Sequence, residues 1–244
     1  SMNFELANTY RALDENEKAL ETYQDILTKY PNSNSTKETL GKVGMLQYKN
    51  GQEDKALKTL DKLVKTYPNT PEAKAALITI KNIYMDKGNT DDFFAYMKTI
   101  PSGKISKNEQ DSIVYMAAEN KYMDEKYSVA KDGFEKYLNN FPQGVFYNKA
   151  NYYLASCLVA LGDTASSIKY YEVVASQPKT SFTEKAILMA ASGYKNTDYK
   201  KANDLYQKLN TITESSTNKI EAQRGLMTTY YGMKDYNNAI VSAI

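Results

Sequence analysis

The chain has 244 residues, 42% of them hydrophobic and 12% aromatic, enough to build a core, so disorder is excluded as its main state. Lys and Arg number 31 against 29 Asp and Glu, and a net charge of +2 leaves no general field for capturing nucleic acid or an anionic membrane. With no His and a single Cys, an intrachain disulfide is impossible, and His or multi-Cys metal sites and most familiar catalytic constellations are excluded. No apolar run reaches the length of about 18 residues that a membrane-spanning helix needs, and no charged segment followed by an apolar core marks a signal peptide.

Ser1-Met2 leads straight into a helical pattern, which then recurs along the chain. Ala19, Tyr23 and Ile26 are followed by Tyr30-Pro31; Ala56, Leu60 and Leu63 by Tyr67-Pro68; Ala130, Phe134 and Tyr137 by Phe141-Pro142. Weaker copies start at Ser167, Ala202 and Ala239, and Phe93 fills the gap. The anchors 19, 56, 93, 130, 167, 202 and 239 are therefore spaced by 37 residues, once by 35. In the second copy Leu40, Val43 and Gly44 recur at helical spacing, Asn50-Gly51 breaks the chain, and Ala56, Leu57, Leu60, Leu63 and Val64 recur again. This predicts a helical hairpin in which small Gly44 and Ala56 let two backbones approach, and Pro68 ends the second helix. In the third copy Gly88 marks the turn, but Lys81 and Phe93 occupy the small places and Pro101-Ser102-Gly103 cuts the second helix short. A kink is therefore expected at 101–108, separating 1–100 from 108–244 within one repeat domain. The apolar stop at Val241-Ser242-Ala243-Ile244 suggests a fragment of a longer protein, with Ser1 an expression remnant and an uncapped face at Ile244 through which the chain could self-associate.

This pattern resembles the tetratricopeptide repeat. The family's small, turn, small, large and Pro places fall on Gly44, Gly51, Ala56, Leu60 and Pro68, and again on Ala155, Gly162, Ser167, Tyr171 and Pro178, with 151–163 the best-preserved stretch. The resemblance covers nearly the whole chain. It implies an all-α, right-handed superhelical solenoid of about seven stacked antiparallel helix pairs, whose first helices line a concave groove. The aromatic-Pro endings and Tyr-rich helices look most like the periplasmic, envelope-associated subgroup. That implies a periplasmic or outer-membrane-associated parent that a lipid anchor would hold, with a cytoplasmic location as the alternative.

The family's groove-lining places, carried onto this chain, give Tyr48, Tyr115, Tyr122, Tyr152, Tyr194 and Tyr231 as aromatic candidates. The polar and flexible candidates are Asn8, Met45, Lys49, Asn82, Met85 and Glu119, then Met123, Lys149, Ser156, Glu184, Lys195 and Arg224. Tyr combines a large contact area with a hydroxyl, which suits a peptide or protein partner. Tyr23, Phe134, Tyr171 and Tyr206 are read as packing. Because Lys49, Lys149, Lys195 and Arg224 are spread over four repeats and alternate with Glu38, Glu119, Glu184 and Glu221, no strictly carboxylate-directed ligand is expected. Cys157 reads as a buried small hydrophobe, and as a nucleophile it has no His partner. Asp91-Asp92 begins a helix, where acids are explained by capping and the helix dipole. No phosphate-binding Gly loop and no calcium loop occurs. The expectation is a non-enzymatic scaffold with no catalytic residue, metal or cofactor, binding a protein or peptide. A glycan or peptidoglycan ligand is the first alternative. A nucleic acid ranks below it, for want of Arg and a basic stripe.

Overall fold

In the computed structural model, residues 2–101 and 103–243 are described; Ser1, Ser102 and Ile244, and with them the expected remnant and the last residue of the expected uncapped end, lie outside that set. Among the described residues there are fourteen α-helices and no strand. The chain divides into two compact units, residues 1–107 and 108–244.

The first unit holds three pairs: α1 (Met2–Ala12) with α2 (Asn16–Lys29), α3 (Thr36–Lys49) with α4 (Glu53–Thr66), and α5 (Pro71–Asp86) with α6 (Thr90–Lys98). Successive helices pack on one another, and α3 also lies against α5, so the first helices of the second and third pairs stand side by side. The close approach predicted in the second pair is present: a Cβ on Gly44 would stand 2.3 Å from Leu60 Cδ2, and Leu60 and Ala56 are fully buried. Pro71 takes the first turn of α5, where its missing N–H is no loss, and the Thr70 hydroxyl accepts from the Ala73 amide at 3.2 Å.

The second unit holds α7 (Lys107–Met123) with α8 (Tyr127–Asn140), α9 (Tyr147–Ala160) with α10 (Thr164–Ser176), α11 (Thr183–Tyr194) with α12 (Tyr199–Ile212), and α13 (Ser216–Gly232) with α14 (Tyr236–Val241). Here α9 to α14 again pack in succession, with α11 also touching α13. Asp163, Asp198, Ser215 and Asp235 cap α10, α12, α13 and α14 by accepting backbone N–H groups.

The repeat period is written into the backbone. Asp14, Gly51, Gly88, Glu125 and Gly162, each 37 residues after the last, all adopt positive φ at the turn between paired helices, as does Lys234. Sequence reading found the glycines but not Asp14, Glu125 and Lys234, which hold the same left-handed conformation without the glycine that would make it easy.

Candidate binding groove

In the first unit, Met45, Tyr48 and Lys49 from α3 and Asn82 from α5 come together. With Arg11, Asn16, Lys42, Leu46 and Thr79 they line a depression of about 510 Å³. Met45 stands in it 58% exposed, while Leu46 beneath belongs to the core with Phe4, Tyr23 and Val43. The Tyr48 hydroxyl donates to the Asp86 carboxylate; desolvation, then the Asp86 hydrogen bond, push its pKa up to about 12, so it is a neutral donor already engaged. Lys49 reaches Asp14 at 3.1 Å and Lys42 reaches Glu38 at 3.2 Å. The Lys49 hydrogen bond, helped by Asn16, holds the Asp14 carboxyl below its usual range. Met85, expected in the same groove, is only 5% exposed, because the buried stripe of α5 extends round the helix from Ala73 to include it.

In the second unit two of the five expected lining tyrosines, Tyr115 and Tyr152, belong to a buried aromatic ladder. Tyr115 is 1% exposed: it stacks on Phe146 with ring centres 4.3 Å apart and meets Tyr137 edge-on at 5.6 Å. Tyr152 is 7% exposed, lying 4.6 Å from Phe182 and edge-on to Tyr171. Both are core residues rather than lining, because facing aromatics from the neighbouring helix and loop close over them. Glu119 and Lys149 form a polar cover above Tyr115: its hydroxyl donates to Glu119 at 2.7 Å, Lys149 pairs with Glu119 at 3.6 Å and lies over the ring. Tyr122 is half-buried against Tyr153 and Tyr127, and Met123 beside it is exposed. The Ser156 hydroxyl donates to the Tyr152 carbonyl and lies 3.3 Å from the Tyr171 hydroxyl.

Tyr194 is engaged by the second helices on either side of α11. Its hydroxyl donates to Glu172 of α10 at 2.7 Å and Lys201 of α12 lies 4.6 Å from its ring centre, so second helices hold it. Glu184 accepts from Thr213 and Asn218 and pairs with Lys179, tying loops rather than facing a ligand. In α13 the buried stripe is Ala222, Gly225, Leu226 and Thr229, one residue earlier than the spacing from Ala239 predicts. The counterpart of Met45 is therefore Met227. Arg224 falls off the lining register and pairs with Glu221 at 3.0 Å. Tyr231 is 67% exposed and edge-on to Tyr236. Lys195, just beyond α11, is half-buried.

Three features escaped the sequence reading. Tyr23 and Tyr171 are core residues, yet their hydroxyls reach polar groups on the first helix of their own pair, Asn8 at 2.6 Å and Ser156. Buried Asp111 accepts from the Tyr137 hydroxyl at 2.6 Å and the Val145 amide at 2.9 Å, while the Tyr137 hydroxyl accepts from the Phe146 amide. Arg11 and Lys42 join the groove of the first unit. No spacing rule marks these contacts, since each depends on which side chain the next helix presents. Cys157 is fully buried and burial pushes its thiol up to about 12, as befits packing rather than nucleophilic chemistry. Among the described residues no three acids or thiols converge as metal ligands, and no helix is long and apolar enough to cross a membrane.

The tetratricopeptide repeat profile matches residues 2–33, 42–70 and 149–180, two segments in the first unit and one in the second. Among solved structures the chain is similar to pilF of Pseudomonas aeruginosa, at 14% identity over 91% of this chain and 96% of that one, with a TM-score of 0.41. It is similar to a tetratricopeptide repeat protein of Parabacteroides merdae, at 14% identity over 99% and 91% of the two chains and a TM-score of 0.42. A third is the C-terminal part of a repeat-containing protein of Cytophaga hutchinsonii, at 16% identity over 98% and 92% and a TM-score of 0.44. Comparison with curated proteins gives no match.

Proposed function

From the premise that this chain is a tetratricopeptide repeat protein, a fold whose modules bind other proteins, we propose that it is a scaffold without chemistry of its own. It holds a partner polypeptide against the exposed sides of its first helices. The observation that carries this reading is the depression in the first unit, where an exposed methionine and a ring of hydrogen-bonding and cationic side chains surround an apolar floor. An open trough of this kind suits an extended chain or a helix, whereas catalysis calls for converging groups in an enclosed, dry site. The envelope role rests on sequence likeness alone: the Tyr-Pro and Phe-Pro repeat endings point to a periplasmic or outer-membrane-associated parent acting in envelope assembly or maintenance. Fractionation of source cells with an antibody to this chain checks the compartment.

The groove itself is tested by placing a photo-crosslinking amino acid at Met45 and, as control, at Lys58, which is exposed on the second helix of the same pair. A discrete protein adduct from Met45 and none from Lys58 is expected. Adducts of equal yield from both positions would remove the groove reading.

A further inference from the structure

We propose that Met45 is a site of reversible oxidation, at which hydrogen peroxide converts the thioether to the sulfoxide and so loosens the hold on the partner. This rests on the reading above that a polypeptide lies in the depression of the first unit, and adds how that hold is regulated. The chain offers a two-electron oxidant little else to attack. It has no His and no Trp, and its one thiol, Cys157, is fully buried. Methionine remains, and its placement is uneven. Of nine methionines, Met97 lies on a second helix and Met233 just beyond α13, so the other seven sit on first helices. Met2, Met45, Met116, Met123 and Met227 are exposed there, whereas the single methionine of the second helices, Met97, is half-buried. On α7, Met116 and Met123 stand one turn to either side of Glu119, which falls two periods of 37 residues after Met45. The side of the first helices read as facing the partner is thus also where the oxidisable sulfur is displayed, and methionine suits such a surface because its thioether is flexible and polarisable.

Met45 is the one whose surroundings would register the change. It shares an apolar floor with Leu46, and Arg11, Lys42, Lys49 and Asn82 place hydrogen-bond donors in the same lining. In the reaction the sulfur lone pair attacks one peroxide oxygen and the O–O bond breaks. The transferred oxygen gives its proton to the departing hydroxide, which leaves as water; sulfur loses two electrons and the peroxide gains them. A dithiol reverses the step, taking the oxygen off as water and closing to a disulfide. The sulfoxide oxygen is a strong acceptor, so the lining donors hold the oxidised side chain across the floor and replace an apolar contact by a polar one.

The test uses the full chain with a photo-crosslinking amino acid at Asn82, which lines the same depression and leaves Met45 in place. The protein is treated with hydrogen peroxide, freed of it with catalase, and added to an extract of source cells cleared of thiols, while peptide mass spectrometry reads oxidation at each methionine. Met45 is expected to oxidise about as fast as exposed Met123 and at least roughly tenfold faster than buried Met85. The Asn82 adduct should fall about tenfold on oxidation and return when a methionine sulfoxide reductase with dithiothreitol restores the thioether. In Met45→Leu, similar in volume but without sulfur, the adduct should survive peroxide. Should Leu by itself weaken the adduct, Met123→Leu serves, and its adduct must remain sensitive to peroxide. Oxidation of Met45 no faster than that of Met85, an adduct unchanged by peroxide in the parent chain, equal loss in Met45→Leu, or an insensitive Met123→Leu overturns the inference and leaves the groove standing. If neither Asn82 nor Met45 gives an adduct in the untreated protein, both fall.

Discussion

Gly44 and Gly41 sit three residues apart on α3 and show how differently one residue type can be used. A Cβ at Gly44 would stand 2.3 Å and 2.5 Å from Leu60 Cδ2 and Cγ, atoms of a fully buried side chain that has nowhere to move. At Gly41 the nearest atom is Leu63 Cδ2 at 3.6 Å, an ordinary contact. Gly44→Ala should therefore destabilise the protein by about 1–3 kcal/mol through overpacking. Gly41→Ala should stabilise it by roughly 0.5–1 kcal/mol, because it removes backbone freedom from the unfolded chain without a clash. Urea denaturation of the two variants checks the contrast, and equal effects would deny the close approach of α3 and α4. At the same scale, the Tyr23 and Tyr171 hydroxyls show that a core aromatic in a helix pair also supplies a polar tip on the side of the first helix, a double use that composition does not reveal.

Elements are joined here by side chains as well as by stripes of apolar residues. Glu184, at the start of α11, accepts from Thr213 and from Asn218 of α13 and pairs with Lys179, so one carboxylate ties the loop before α11 to the segment between α12 and α13. Its pKa is lowered, chiefly by the Asn218 and Thr213 hydrogen bonds against a smaller opposing effect of burial. A carboxyl depressed in the folded state stabilises it above the unfolded value of about 4.3, and that contribution is lost as pH falls through the folded value. Relative to Glu184→Gln, the parent chain should thus lose stability on acidification below about pH 4.3, and chemical denaturation at a series of pH values measures it. An unchanged difference between the two proteins across that window would mean that the carboxylate is not held by these partners.

At the scale of the whole chain, three helix pairs lie in residues 1–107 and four in residues 108–244, save that the first residue of α7, Lys107, falls at the end of the first unit. Repeat arrays are stabilised by nearest-neighbour stacking, so each unit holds the contacts it needs. We propose that the segment 101–108 separates two blocks that fold separately. Polypeptides 1–107 and 108–244, made apart, are each expected to retain helical circular dichroism and to melt cooperatively; a 1–107 piece without helix would refute that.

Much of the architecture was readable beforehand because it depends on local rules. The 37-residue spacing, the aromatic-Pro endings and the Gly at three turns are properties of a hairpin that must pack on copies of itself, and any chain satisfying them is constrained to helix pairs. The site was readable only in part. Met45, Tyr48, Lys49 and Asn82 converge because the register of α3 and α5 carries over from the repeat pattern. Tyr115, Tyr152 and Met85 are buried, Tyr194 turns to the second helices, and Arg224 drops out of the lining when the stripe of α13 shifts by one residue. Period and turn position are encoded within one hairpin. Exposure of a given side chain depends on what the adjoining helix and loop place over it, and a 100° rotation per residue makes a slip of one position enough to exchange an inner face for an outer one.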